Sequence, residues 1–207
     1  MSDPTQPSAS DFATRDPDSP AFWDERFERH HTPWDQAGVP SAFQSFAARH
    51  SGAAVLIPGC GSAYEALWLA ERGNPVRAID FSHAAVAAAH AQLGEQHAHL
   101  VEQADFFAYE PPFKPAWIYE RAFLCALPPA RRADYAQRVA ELLPAGALLA
   151  GFFFIGATPK GPPFGMERDE LNALLAPNFD LIEDEAVNDS IPVFAGRERW
   201  LTWRRRV

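Results

Sequence analysis

Gly59 and Gly61 stand in VLIPGCGSAYE at 55–65, directly after a short apolar run. Glycines at such a turn let the backbone approach a ligand with no side chain in between, although a tight turn without a ligand gives the same letters. Asp80 closes the next apolar run, VRAID, and lies 80 − 61 = 19 positions beyond Gly61. An acid at that place can accept both hydroxyls of a ribose; its plainer reading is a turn or helix-cap aspartate, a task that Ser82 already fills. Asp105 and Phe106 follow a third extended run, where the carboxylate can hold an adenine amino group and the ring can cover the base. For that pair alone, a surface Asp beside a core Phe is the favoured reading. Together the three features outline an adenosine pocket, with Cys60, Phe81 and Ala104 flanking the same strand tips.

The cofactor follows from what is missing. A dinucleotide site needs a third glycine so that a helix N-terminus can receive the pyrophosphate, and here Ser62-Ala63-Tyr64 continues the turn without one. No P-loop signature occurs. A cofactor with a sulfonium cation and no phosphate tolerates a tighter turn and suits aromatic faces. That cofactor is S-adenosylmethionine, with S-adenosylhomocysteine as its product.

These tips need a sheet to hold them. AAVLI at 53–57, VRAID at 76–80, HLVEQ at 99–103, WIYERA at 117–122 and ALLAGFFFIG at 147–156 read as buried strands. Helical stretches alternate with them: 63–73 with Tyr64, Leu67 and Ala70 on one face, 82–94 capped by Ser82, one from Pro128 or Pro129 to Leu143, and 167–176. The alternation implies a mostly parallel α/β sheet with right-handed crossovers, and FDLIEDEAV and RERWLTWRR imply an antiparallel edge hairpin. Residues 1–19, rich in Pro, Ser and Asp, read as a loose tail. A helical lid spans 20–52, carrying Phe22, Trp23, Phe27, Trp34, Phe43 and Phe46, and a Rossmann-like core spans 53–207, the whole forming one domain. For most of the four Phe residues plain packing is the expected role.

The chain has 207 residues, enough for one core, and 18 basic against 27 acidic side chains give a net charge of −9. That balance argues against nucleic-acid and membrane-surface partners. No apolar run reaches transmembrane length and no export signal is evident at the start, so the expected setting is cytoplasmic, with Cys60 and Cys125 reduced. A monomer is expected. His83, His90 and His97 recur every seven residues as a solvent-facing row and no metal site is expected; the Arg-rich end is a guarded edge strand.

Several segments resemble the thiopurine S-methyltransferase family: FWDERF at 22–27, TPWDQAG at 32–38, LIPGCGSAYE at 56–65, AIDFS at 78–82, ADFF at 104–107, ERAFLCALPPARRADYA at 120–136, GPPF at 161–164 and DSIP at 189–192. The nearest branch is that of the plant thiol and halide methyltransferases. The resemblance runs over about residues 20–207 and implies a class I methyltransferase fold, a three-layer sandwich whose seven-stranded sheet has its last strand antiparallel. It implies methyl transfer to a small thiol, thiopurine-like or halide acceptor. On matching positions it gives Trp23 and Trp34 as covers of the cofactor, Gly59 and Gly61 as the turn, Asp80 as the ribose acid, Asp105 and Phe106 as adenine contacts, and Arg121 facing the cofactor. The chain departs from the family at Ala63, where another Gly is frequent, and at Ala116, where an Asp is frequent.

Such a transfer is an in-line displacement in which positioning does most of the work and a general base is optional. Arg121 is the candidate catalytic residue, drawing an anionic acceptor toward the methyl group, unless Glu120, Asp105 or another acid holds it. Phe164, beside Pro162 and Pro163, is expected to border the acceptor pocket together with Trp34. A NAD-linked oxidoreductase and a non-catalytic S-adenosylmethionine-binding protein are the competing readings.

Overall fold

The computed structural model describes residues 12–35 and 37–207. Two helices come first, α1 (Pro20–Glu28) and α2 (Ser41–Arg49), followed by β1 (Val55–Pro58), α3 (Tyr64–Ala70), β2 (Val76–Asp80), α4 (His83–Leu93), β3 (Val101–Gln103) and β4 (Trp117–Arg121). Then come α5 (Arg132–Leu142), β5 (Leu148–Phe154), α6 (Arg168–Leu175), β6 (Phe179–Ala186) and β7 (Glu198–Arg205). The sheet order is β3-β2-β1-β4-β5-β7-β6. β1 to β5 run parallel, and β7 lies antiparallel between β5 and β6. This is the expected seven-stranded α/β sheet, with one refinement: the last strand inserts inside the edge rather than forming it.

Burial explains the strands. All four residues of β1 are buried, as befits a strand covered on both faces. Along β4 the pleat sends Trp117 and Tyr119 to a cluster with Phe43, Phe46 and Trp200, and Ile118 to a second cluster with Leu56, Tyr135 and Leu149. Helices thus cover both faces, and each buried large side chain contributes about 1.5–3 kcal/mol. The chain builds outward from β1 to β3, then returns to place β4 on the other side of β1. Between β1 and β4 the order reverses, and a crevice opens at the carboxyl ends.

Several boundaries differ from expectation. A 3-10 turn at Ala98–Leu100 replaces the start of the third strand, and another at Pro129–Arg131 precedes α5. Helix α3 buries Glu65, Ala66 and Leu69 rather than the face holding Tyr64, Leu67 and Ala70. The loose tail expected over 1–19 is also corrected where it is described; residues 1–11 lie outside the described residues. Phe12 is buried beneath the Arg26 guanidinium, 4.4 Å from its ring centroid. The amides of Ala13 and Thr14 donate to Glu25, each at 2.9 Å. One aromatic ring and one acceptor carboxylate suffice to lay a polar segment along α1, where composition alone shows no means of ordering it. Among the described residues no helix is long and apolar enough to cross a membrane.

Candidate functional site

A cavity of about 670 Å³ lies over the carboxyl ends of the strands, within the usual range for small-molecule sites. Its geometry starts at the glycine turn. Gly59 and Gly61 adopt left-handed backbones with φ of +58° and +51°, and a Cβ on Gly59 would enter the ring of Phe123. A Cβ on Gly61 would lie 3.5 Å from Phe27, which makes Phe27, read from sequence as plain packing, a wall of the turn. Ala63 holds φ of +57° just before α3, a conformation that costs an L-residue about 1–2 kcal/mol.

Asp80 fastens this turn. Its buried carboxylate accepts the Gly61 amide at 3.1 Å through one oxygen and the Ser82 amide at 3.0 Å through the other. Burial pushes its pKa up to about 6 despite those two donors. Ser82 in turn caps α4 by accepting the Ala85 amide at 3.0 Å. Beyond β3, the Asp105 carboxylate accepts the Phe107 amide at 2.9 Å. Phe106 is buried against Phe123 and Tyr135, with centroids 5.2 and 6.0 Å away, and still borders the cavity.

Two carboxylates tie the segment before the sheet to these tips. Asp24 accepts the Ser82 hydroxyl at 2.6 Å and the Ala84 amide at 3.0 Å, and Asp35 accepts the Ser62 hydroxyl at 2.6 Å. Between them Trp23 meets Trp34 edge to face at 5.4 Å, and Phe27 meets Trp34 at 6.1 Å. The Trp23 indole donates to the Pro17 carbonyl at 2.9 Å.

Arg121, at the end of β4, forms an ion pair with Glu65 at 3.3 Å, both largely buried. The Tyr119 hydroxyl donates to the same Glu65 oxygen at 3.2 Å. Burial raises the Glu65 pKa and Arg121 opposes that rise. The acid that pairs with Arg121 here is Glu65, and nothing in the spacing of residues 56 positions apart announces it.

Glu120 points to the other face. It accepts the amides of Phe123 at 3.0 Å and Leu124 at 2.9 Å and the Tyr135 hydroxyl at 2.7 Å, holding the loop after β4 that walls the cavity. Burial pushes its pKa up to about 7. The folded state therefore keeps a proton that the unfolded chain releases near 4.5, so this group makes stability fall as pH rises from about 4.5 to 7, by about 3 kcal/mol. Glu120→Gln keeps one acceptor oxygen for the two amides, and its NH2 can donate to the Tyr135 hydroxyl in place of accepting from it; the change is expected to flatten that slope, thermal melts of both proteins across pH 5 to 8 check it, and parallel slopes would refute it.

The cavity brings together Trp23, Trp34, Gly59, Cys60, Gly61 and Asp80, and with them Phe81, Ala104, Asp105, Phe106 and Arg121. Phe164 is the exception and a correction. It borders a separate small void with Glu120, Phe153 and Met166, its amide bonded to the Cys125 carbonyl at 2.6 Å. The ring folds back against Gly161, where no Cβ stands in its way. Pro162 and Pro163 do line the cavity, as does Phe194, which packs on Phe154. Among the described residues no group of three His, Cys, Asp or Glu side chains could hold a metal ion.

The donor set fits a cationic adenosine cofactor: buried carboxylates at Asp80 and Glu65, aromatic walls, and a turn entering a short helix without a third glycine. Fold and site together define a class I S-adenosylmethionine-dependent methyltransferase. The fold is shared at a TM-score of 0.73 and 18% identity with a 1,6-didemethyltoxoflavin-N1-methyltransferase from Burkholderia thailandensis, over 91% of this chain and 87% of that one. A TehB-like S-adenosylmethionine-dependent methyltransferase from Corynebacterium glutamicum gives 0.64 at 14% identity, over 92% and 100%.

Residues 18–206 match the thiopurine S-methyltransferase family, and the chain belongs to it. Thiopurine S-methyltransferase of Pseudomonas fluorescens (strain Pf0-1) is 31% identical over 181 residues, 75% of this chain and 81% of that protein. Probable thiol methyltransferase 2 of Arabidopsis thaliana is 28% identical over 191 residues, 88% and 84% of the two chains. Thiocyanate methyltransferase 1 of the same plant is similar to the same degree over the same shares.

Proposed function

We propose that this protein methylates a small, soft nucleophile, a thiol, a thiopurine-like sulfur or a halide. The observation that carries the reading is an apolar cluster on the cavity wall, Cys125, Phe154, Ile191 and Phe194 with Trp34 packed against it; Cys125, Phe194 and Trp34 line the cavity, as do Pro162 and Pro163. Burial raises the Cys125 thiol to a pKa far above neutrality, so it stays protonated and takes no proton from an acceptor. No base stands at Cys125, so the apolar cluster suits an acceptor that is already nucleophilic, such as a low-pKa thiol or a halide, better than an alcohol or an amine.

S-adenosylmethionine, when bound, supplies an electrophilic methyl group on a sulfonium. Gly59 and Gly61 give the backbone room for it, Asp80 receives the ribose hydroxyls, and Asp105 with Phe106 receives the adenine. Trp23, Trp34 and Phe27 act as a lid over this end and exclude water, which favours a displacement in which opposite charges are annihilated. Arg121 presents a guanidinium to the acceptor side while Glu65 and Tyr119 fix its plane. Its charge is largely balanced by Glu65, so it orients an anionic acceptor more than it concentrates one.

Incubation with radiolabelled methyl donor and a panel of arene thiols, thiopurines, bisulfide, thiocyanate and iodide tests the reading. Label is expected in the sulfur and halide products and absent from matched alcohols and amines. Donor binding with no transfer to any member would instead make the protein a binder, and NAD binding without donor binding would make it an oxidoreductase.

A further inference from the structure

The sheet order separates the two ends of the cavity. Asp105, Asp80 and the glycine turn stand at the ends of β3, β2 and β1, so the adenosine half lies over that side. β4, β5 and β7 stand on the other side. The segment between β6 and β7, residues 187–197, reaches back over those strands, because β7 starts with Glu198 opposite Phe154, the carboxyl end of β5. It delivers two side chains to the cavity, Val193 and Phe194.

The two differ in support. Phe194 is buried, packed on Phe154 with centroids 5.5 Å apart, and clustered with Cys125 and Ile191 against Trp34. The segment is anchored on both flanks: Asp189 accepts the Ser41 hydroxyl of α2 at 2.9 Å, and the Arg197 side chain donates to the carbonyls of Ile155 at 3.2 Å and Ala157 at 2.9 Å. A ring held this firmly cannot swing aside for a larger guest. Val193, by contrast, is 38% exposed at the rim. With Phe164 turned away, Phe194 is the end wall opposite the cofactor half.

We infer that Phe194 sets the size limit of the methyl acceptor and that Val193 sets the width of its entry. The inference rests on the proposed acceptor class and names the residues that choose within it. Truncating an end wall enlarges the pocket for bulky arene thiols and removes contact from small nucleophiles, and a change of this volume in an apolar pocket moves discrimination about tenfold or more.

The test compares kcat/KM for naphthalenethiol and for bisulfide in the wild type, Phe194→Ala and Val193→Trp. Phe194→Ala is expected to raise the naphthalenethiol-to-bisulfide ratio about tenfold, and Val193→Trp to lower it by a similar factor. Calorimetric affinity for S-adenosylmethionine is expected to stay within about twofold in Val193→Trp, whereas Phe194→Ala also withdraws packing from Trp34, so its ratio is read at saturating methyl donor. A second readout needs no turnover: methyl naphthyl sulfide, titrated into the protein loaded with S-adenosylhomocysteine and followed by tryptophan fluorescence, should bind Phe194→Ala more tightly than the wild type. Unchanged ratios in two variants that still turn over would overturn the inference and leave the acceptor class standing. A wild type inert toward every sulfur and halide acceptor would overturn both. Should Phe194→Ala fail to fold, the rim variant Val193→Trp alone decides, because an exposed position tolerates the change.

Discussion

Asp80→Ala lowers the affinity for S-adenosylmethionine at pH 7.5 by about a hundredfold or more, measured by calorimetry. Two losses combine. The ribose hydroxyls lose a charged acceptor, where each such hydrogen bond contributes about 1.5–3 kcal/mol, and the amides of Gly61 and Ser82 lose the carboxylate that orients the turn. The wild type adds a pH signature of its own. Its carboxyl titrates at about 6 before the cofactor binds, and the ribose hydroxyls need the ionised form as acceptor. Binding must therefore expel a proton below pH 6, so affinity weakens toward tenfold per pH unit on the acid side and levels off above neutrality. Asp80→Asn should lose the slope along with the affinity. An affinity independent of pH between 5 and 7.5, or a variant that binds as the wild type does, would remove Asp80 from the pocket.

Why Asp80 is legible in the sequence and Glu65 is not comes down to where the partners sit. The glycine turn, the acid closing the second strand and the acid-aromatic pair after the third are each local patterns, and a parallel sheet brings consecutive strand ends together by topology alone. Strand and helix alternation is read from periodicity over ten or fewer residues, which is why the sheet and the capping role of Ser82 emerge directly. Glu65 looks like one charged position on an amphipathic helix; only the fold reveals that α3 turns its first residues toward the end of β4, where Arg121 and Tyr119 meet it. The same limit applies to the end wall. GPPF and PVF are both proline-bounded aromatics after a strand, and nothing in the letters says that the first ring folds over Gly161 while the second enters the cavity. Phe12 fails for the opposite reason: it is a single apolar residue in a polar stretch, so its average composition conceals one strong contact.

Gly151→Ala is expected to be the most damaging single change in the sheet. Gly151 sits on β5 directly opposite Glu120 of β4, and a Cβ there would collide with the Glu120 carbonyl oxygen and come within 2.7 Å of its carbon and 2.8 Å of its nitrogen. Backbone cannot rotate away as a side chain can, so the strands must part. Overpacking of this kind ordinarily costs about 1–3 kcal/mol, with rigid neighbours at or above the upper end. Parting β4 from β5 also disturbs Glu120, whose carboxylate holds the amides of Phe123 and Leu124 and the Tyr135 hydroxyl. Leaving such buried donors unmatched adds about 1–3 kcal/mol, for a total near 4 kcal/mol against a typical domain stability of about 5–15 kcal/mol. A fall in Tm of about 10 °C or more follows for a chain of this size. Because Arg121 is the residue after Glu120, the pair with Glu65 at the cavity floor should loosen as well, so a variant that survives in the cold should lose turnover beyond its loss of folded protein. Gly146→Ala serves as the comparison, since a positive φ of +83° also strains an L-residue there, against +154° at Gly151, while a Cβ at Gly146 meets open space. If the two variants melt together, the close approach of β5 to Glu120 does not hold the floor of the site in place.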